Sequence, residues 1–276
     1  MKITYLGTAA AEGIPAVFCN CATCKEARKR GGRELRTRSQ VLIDDSFCVD
    51  YPPEAYMHSV RFGVDLSAIE YLLVTHSHMD HFYAHDFILR GYKYAHDMTR
   101  PNLTICGNEE VKKVFEECTR REMREVVLQT IGFRELREYC PVLLGEYKVT
   151  PLPARHSVWE NCFVYLIEKE GKKVLYLNDT GRLGAGVYEH LRYEKVDLVS
   201  FDCTFVGETV GEARHMGIGD CMAVKAELEK VQAVRPDTKY VVTHFSHNQA
   251  PLQETLEKIE KEYGVIAAYD GMSLEL

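Results

Sequence analysis

The chain of 276 residues predicts an α/β fold with mixed sheets, and three observations carry that expectation. Short β-rich segments alternate with helical ones from end to end. The polar turn EKEGKK joins two strand candidates as a hairpin over 163–179, which a purely parallel wound sheet would not contain. No Ser/Gly linker, low-complexity tract or repeat interrupts the alternation, so residues 1–276 are expected to form one domain.

In chain order the strand candidates are KITYLGT, RSQVLIDD, SFCVDYP, IEYLLVTH, LTICG, CFVYLIE, KVLYLND, DLVSFDCT and KYVVTHF. Each is short and rich in Val, Ile, Leu, Tyr or Phe, the residues that suit a pleated, half-buried surface. Helices are expected over 53–62, where Pro52-Pro53 can start the first turn, and over 109–128 and 220–233. A last one is expected over 251–263, with Pro251 near its first position and Gly264 at its stop.

A net charge of −7 without a basic block argues against an extended nucleic-acid surface, because phosphate backbones are held by clustered Lys and Arg. It leaves room for a small phosphate-bearing substrate. No apolar run approaches the ~18 residues of a membrane span. MKITYLGTAA runs straight into a strand pattern, so no secretory leader is expected. Ten cysteines in such a chain point to reduced thiols and metal ligands in the cytoplasm. A homodimer is left open.

The segment IEYLLVTHSHMDHF ends an apolar strand at Thr75 and follows it with His76, His78, Asp80 and His81. In an extended chain residues i and i+2 point the same way, so His76 and His78 can grip one metal, while Asp80 and His81 can face a second. Imidazole suits Zn, Mn, Fe or Ni, and a carboxylate adds a hard oxygen. More ligands are needed for two ions, and His156, Asp179 and His244 all stand at strand ends, where open α/β sheets place their sites.

This pattern, HxHxDH followed by His, Asp and His, resembles the metallo-β-lactamase superfamily. The resemblance implies an αββα sandwich over essentially the whole chain. It implies that His76, His78 and His156 hold one ion, that Asp80, His81 and His244 hold the other, and that Asp179 bridges them. Asp50 in FCVDYP matches a buried Asp that braces the ligand loop.

A second cluster, Cys19, Cys21 and Cys24 in FCNCATCKEARK, lacks the fourth ligand that a closed zinc site requires. His247 in THFSHN can turn away from His244 and supply it. LGTAAAEGIPAVFCNCATC with a late HxxH resembles the branch of PhnP-type cyclic phosphodiesterases, with PqqB as a relative. There the Cys3His zinc is structural and pins the N-terminal loop to the last active-site strand.

The resemblance implies a binuclear hydrolase that cleaves a small phosphodiester, cyclic ones included, through a metal-bridging hydroxide. Paired ions roughly 3.5–4 Å apart bring a water's pKa toward ~7 and hold a phosphoryl oxygen. His215 and Asp80 are the expected catalytic residues, with His215 assisting the leaving alkoxide. Asp220 follows His215 at the five-residue spacing of that branch, near a helix start expected at Gly219 or Asp220. Tyr92 and Tyr94 are candidates for a substrate rim. Three other readings compete. A tRNA 3′-processing nuclease would carry a long basic arm that is absent here. A thiolester or lactone hydrolase would lack the cysteine clamp. A PqqB-like ligand-binding protein would be marked by lost metal ligands, yet all are present.

Overall fold

Strand residues alternate between two apolar environments, and that alternation builds the layers. The computed structural model describes residues 1–211 and 214–276. One seven-stranded sheet has the order β14 (Met272–Glu275), β1 (Lys2–Gly7), β2 (Gln40–Ile43), β3 (Phe47–Val49), β4 (Tyr71–Leu73), β5 (Leu103–Gly107), β6 (Ile131–Glu135). The other runs β13 (Ile266–Ala267), β12 (Val234–Thr243), β11 (Val196–Asp202), β10 (Lys172–Leu177), β9 (Phe163–Lys169), β8 (Tyr147–Pro153), β7 (Val142–Leu144).

In β1, Ile3 and Tyr5 enter the core between the sheets, while Leu6 packs on the outer side. In β10, Val174 and Tyr176 point inward and Leu175 and Leu177 outward. The outer face of the first sheet is covered by α2 (Ala55–Phe62) and α3 (Glu109–Thr119) through Ala55, Val111 and Phe115. The outer face of the second is covered by α5 (Ala185–Leu191), α6 (Ile218–Lys230) and α7 (Gln253–Tyr263). This is the expected four-layer αββα sandwich. Each fully buried Val, Leu, Ile or Phe contributes about 1.5–3 kcal/mol by leaving water.

Parts of the sequence reading need correction. The helix expected over 109–128 is two, because the stripe Val111, Phe115, Thr119 runs out into TRREMR; α4 (Glu125–Leu128) follows separately. The helix expected over 220–233 is Ile218–Lys230, and that over 53–62 starts at Ala55. α1 (Ala22–Arg30) occupies what reads as a cysteine loop.

His58 sits in a buried polar chain, with Nδ1 at 2.5 Å from Gln40 Oε1 and Nε2 at 2.7 Å from Thr37 Oγ1. Burial pushes its pKa down to about 3. The folded state therefore refuses a proton that the unfolded chain accepts near 6.5. Its contribution to stability is complete above about pH 6.5 and declines as pH falls toward 3. Thermal unfolding at pH 7 and pH 5 checks this: His58→Asn should lose less Tm between the two than wild type.

Candidate metal centre

β3, β4, β5 and β6 are parallel to one another in the first sheet and β10, β11, β12 and β13 in the second, while β2 and β9 are antiparallel to β3 and β10, so β1 and β8 run the same way as those strands. The carboxyl ends of these strands therefore share one edge of the sandwich. His76 follows β4, Asp179 follows β10, and His244 follows β12 directly. Asp50, Asp179 and His244 have φ of 64°, 56° and 63°, so the chain turns sharply at each. Non-glycine residues in this region carry strain that surrounding contacts sustain, and such residues gather at functional sites.

The side chains converge on Asp179. Donor atoms of His76, His78, His156 and Asp179 lie within 4.8 Å of one another, as do those of Asp80, His81, Asp179 and His244. His76 Nε2 is 2.8 Å from His78 Nδ1, and His81 Nε2 is 3.2 Å from Asp80 and 3.1 Å from Asp179. The His156 Nδ1 is 3.1 Å from the other Asp179 oxygen.

These groups fit a pair of cations. His81 Nε2, His244 Nε2, His156 Nδ1 and Asp179 Oδ1 are buried yet have no hydrogen-bond partner among the described residues. Asp50, Asp80, Asp179 and Asp202 crowd four carboxylates into one buried region. No Lys or Arg lines the pocket among the described residues, so the negative charge calls for cations. Burial and the nearby His81 charge push His76 well below its ordinary value, and burial takes His156 down to about 4. Neutral imidazoles are what metals bind; His81, which Asp80 and Asp50 hold well above its ordinary value against burial, would have to give up its Nε2 proton to an incoming ion. Burial would raise Asp179, but His244, His215 and His81 hold it well below the usual carboxylate range.

Hydrogen bonds behind the donors set their orientation. Asp50 Oδ2 lies 2.7 Å from His81 Nδ1, and Asp50 Oδ1 accepts the Thr75 amide at 2.8 Å. Asp202 Oδ1 accepts from Thr204 Oγ1 at 2.9 Å, and that hydroxyl lies 2.8 Å from His244 Nδ1. Each Nδ1–H is thereby engaged and Nε2 is left free toward the centre, the arrangement that fixes a ligand imidazole.

His215 stands between two carboxylates, its Nδ1 at 2.9 Å from both Asp179 and Asp202. Burial opposes its charge, but Asp202 and Asp179 hold its pKa up to about 11.

Asp220, five residues after His215, supports the loop and the helix start from behind. Its carboxylate accepts the amides of Val210 at 2.8 Å, Gly211 at 3.0 Å and Gly217 at 3.2 Å, and pairs with Arg182 at 2.7 Å. The first turn of α6, which begins at Ile218 rather than Gly219 or Asp220, is thus filled by its own acid rather than held open for a phosphate. Asp220 ties down the loop carrying His215. Gly217 at the helix cap is required, since a Cβ there would collide with the Glu208 carbonyl.

The three clustered thiols meet His247, just beyond the end of β12. Cys21 Sγ and Cys24 Sγ are each 3.4 Å from His247 Nδ1, and Cys19 completes the group. The amide of Ala16 points at Cys24 Sγ at 3.3 Å. The Cys24 amide and His247 bring the Cys21 thiol down to about 6, while burial pushes Cys24 up to about 11. Three sulfurs and one nitrogen are a tetrahedral zinc donor set.

Sequence reasoning missed Asp202, Glu160 and Glu12. Glu160 accepts from the Ser77 amide at 3.0 Å and from Asn108 Nδ2 at 2.7 Å, holding the ligand loop. Glu12 accepts from Ser246 Oγ at 2.6 Å and lies 3.8 Å from His247 Nε2. Only Asp202 gave a signal, as the acid near the end of DLVSFDCT. Tyr92 and Tyr94 pair edge-to-face at 6.4 Å, with Arg124 over Tyr92, and neither lines the metal pocket. That pocket encloses about 250 Å³. A larger apolar cavity of about 530 Å³ beside α2 contains none of the clustered donors.

The comparisons agree with this architecture. The chain is 24% identical to coenzyme PQQ synthesis protein B of Methylobacterium radiotolerans, over all of both chains. A crystal structure of a new diphosphatase from the PhnP family superposes with a TM-score of 0.73 at 21% identity, covering 100% of this chain and 98% of the other. Zn(2+)-bound PqqB from Methylobacterium extorquens gives 0.75 at 16% identity, with both chains fully covered. Residues 40–245 match the family model described as the beta-lactamase superfamily domain, three quarters of the chain, and the protein belongs to that superfamily.

Proposed function

We propose that the protein is a binuclear metal-dependent phosphodiesterase acting on a small diester, with residues 1–276 working as one unit. The observation that carries this reading is the convergence of two donor sets on Asp179, with His215 beside them. His76, His78 and His156 would hold one ion, Asp80, His81 and His244 the other, and Asp179 both. Such ions, Zn, Mn, Fe or Ni, supply Lewis acidity toward a phosphoryl oxygen and an acidified water. Cys19, Cys21, Cys24 and His247 would hold a structural zinc.

The chain's own residues do the rest. His215, with Nδ1 2.9 Å from Asp179 and Asp202, stands at the pocket wall, placed to give a proton to the leaving alkoxide or to neutralise it. The described lining has no Lys or Arg and includes Glu12, which favours a monoanionic diester over a multiply charged diphosphate. Hydrolysis of bis(p-nitrophenyl) phosphate with added Mn²⁺ or Zn²⁺ tests the reading, and no turnover with any metal would overturn it.

The full-length match to coenzyme PQQ synthesis protein B favours a second reading, a ligand-binding role in cofactor biosynthesis. Copurified ligand without turnover would support that instead.

His215→Ala should lower kcat by about 10²–10⁴-fold. The metal content, measured by inductively coupled plasma mass spectrometry, should stay at the wild-type value. Loss of metal in this variant would make His215 a ligand.

A further inference from the structure

The cavity of about 530 Å³ beside α2 is separate from the metal centre and holds none of its donors. Tyr51, Ile69, Leu72 and Leu103, all buried in the apolar layer outside the first sheet, line it, and the segment 86–98 adds Phe87 and Met98. Packed interiors leave few voids larger than a water molecule, so a space of this size is not slack between fitted side chains. Its volume falls within the roughly 300–1,000 Å³ of sites that take a small organic molecule. Its walls match such sites too, being mostly apolar with a few polar groups.

Two of those polar groups, Asp86 and Arg90, are ionisable, half-buried and without a counter-ion among the described residues. Arg90 Nη2 donates to the Arg100 carbonyl at 2.5 Å, and its Nε is buried with no hydrogen-bond partner among the described residues. The Tyr51 hydroxyl, pushed up chiefly by burial, also feels Asp86 and Arg90, so the two groups act on one spot of the wall. Burial pushes Asp86 up, against a weaker pull from His85, and Arg90 down. A guanidinium keeps its charge regardless, whereas a raised carboxyl can take a proton and then donate a hydrogen bond. The charge left uncompensated at this apolar cavity is therefore positive, and it calls for an anion with an apolar tail.

We infer that the cavity is a binding site for an aliphatic carboxylate, with the head group on Arg90 and the chain against Ile69, Leu72 and Leu103. The site stands whether or not the metal centre hydrolyses a diester. Guanidinium and carboxylate match in shape as well as charge, which favours this head group over a neutral one.

The test uses the full metal-loaded protein and three probes at pH 7, each below its micelle-forming concentration: decanoate, decylamine and butanoate. Titration calorimetry should show one decanoate per chain, bound about tenfold or more tightly than decylamine, which has the same chain and the opposite charge. Butanoate should bind about a hundredfold or more weakly than decanoate, since each buried methylene is worth about a factor of four. Arg90→Met keeps an apolar stem and removes the charge, so the preference for decanoate over decylamine should vanish. Ala95, half-exposed in the cavity wall, gives the second variant: Ala95→Trp should fill the space and abolish decanoate binding. Both variants should keep wild-type metal content and Tm. Equal affinities for decanoate and decylamine in wild type, or a preference that survives Arg90→Met, would overturn the inference. Tighter binding of decylamine would also overturn it, because Asp86 would then hold the head group. Decanoate binding that survives Ala95→Trp would move the carboxylate to the metal centre. A wild-type dimer in analytical ultracentrifugation that Ala95→Trp converts to monomer would give the cavity to a second copy, and either result would sink the proposed site.

Discussion

Asp179→Ala should abolish turnover of bis(p-nitrophenyl) phosphate, with a loss of about 10³-fold or more. The magnitude follows from what Asp179 touches. Its oxygens lie 3.1 Å from His81, 3.1 Å from His156, 3.5 Å from His76 and 2.9 Å from His215. No other side chain belongs to both donor sets of the proposed centre. Removing it deletes a ligand from each ion and leaves five imidazoles facing one another without a shared counter-charge. Metal assistance is worth several kcal/mol at a transition state, and each 1.36 kcal/mol is a factor of ten. Metal content should fall with activity, because the same atoms serve both. Circular dichroism separates this from unfolding: the two sheets and their apolar layers lie outside the substitution. A variant that keeps a tenth of wild-type turnover with its metals bound would remove Asp179 from the bridging role.

Different parts of the molecule were legible for different physical reasons. His76, His78, Asp80 and His81 could be read together because they are local: one strand end and one turn place all four. Asp179 and His244 could be read only as strand ends, and it took the fold to bring them within 4.8 Å of that turn. Asp202 had no comparable pattern around it. Its role depends on Thr204, His215 and His244, which are near it in space but lie up to 42 residues away in the chain. The spacing of His215 and Asp220 was visible, but spacing cannot say which amides a carboxylate meets, and Asp220 turned inward to its own helix. Strand β8 was legible only as the strand end before His156, and its pairing along its length with β9, through Pro151 and Pro153, came from the fold. β13 and β14 are short edges whose pairing comes from partners far along the chain.

The cysteine clamp supports the second large effect. Cys24→Ser should remove one zinc per chain and lower Tm by about 10 °C. Cys24 is wholly buried in the first turn of α1; its amide donates to Cys21 Sγ at 3.5 Å and its own sulfur lies 3.4 Å from His247 Nδ1. A hydroxyl is a poor zinc ligand, and three remaining donors do not close a structural site. A metal present at a thousandfold over its Kd stabilises the folded chain by about 4 kcal/mol, and at this length each kcal/mol moves Tm by about 2–4 °C. The loss should also reach catalysis, through a stated route. Ala9 bridges to both Arg38 and Phe245, and the Ala10 amide donates to the Phe245 carbonyl at 3.0 Å. The loop between β1 and the thiols is thereby tied to the segment holding His244 and His247. Without the proposed zinc, His247 would no longer fix the register of His244, and the ion proposed for His244 should bind more weakly before the other is affected. Titration of the variant with Zn²⁺ would therefore show one weakened active-site affinity beside one close to wild type. Unchanged Tm and an unchanged metal count would mean that the three thiols hold no ion, and the loop would then depend on α1 and its backbone hydrogen bonds alone.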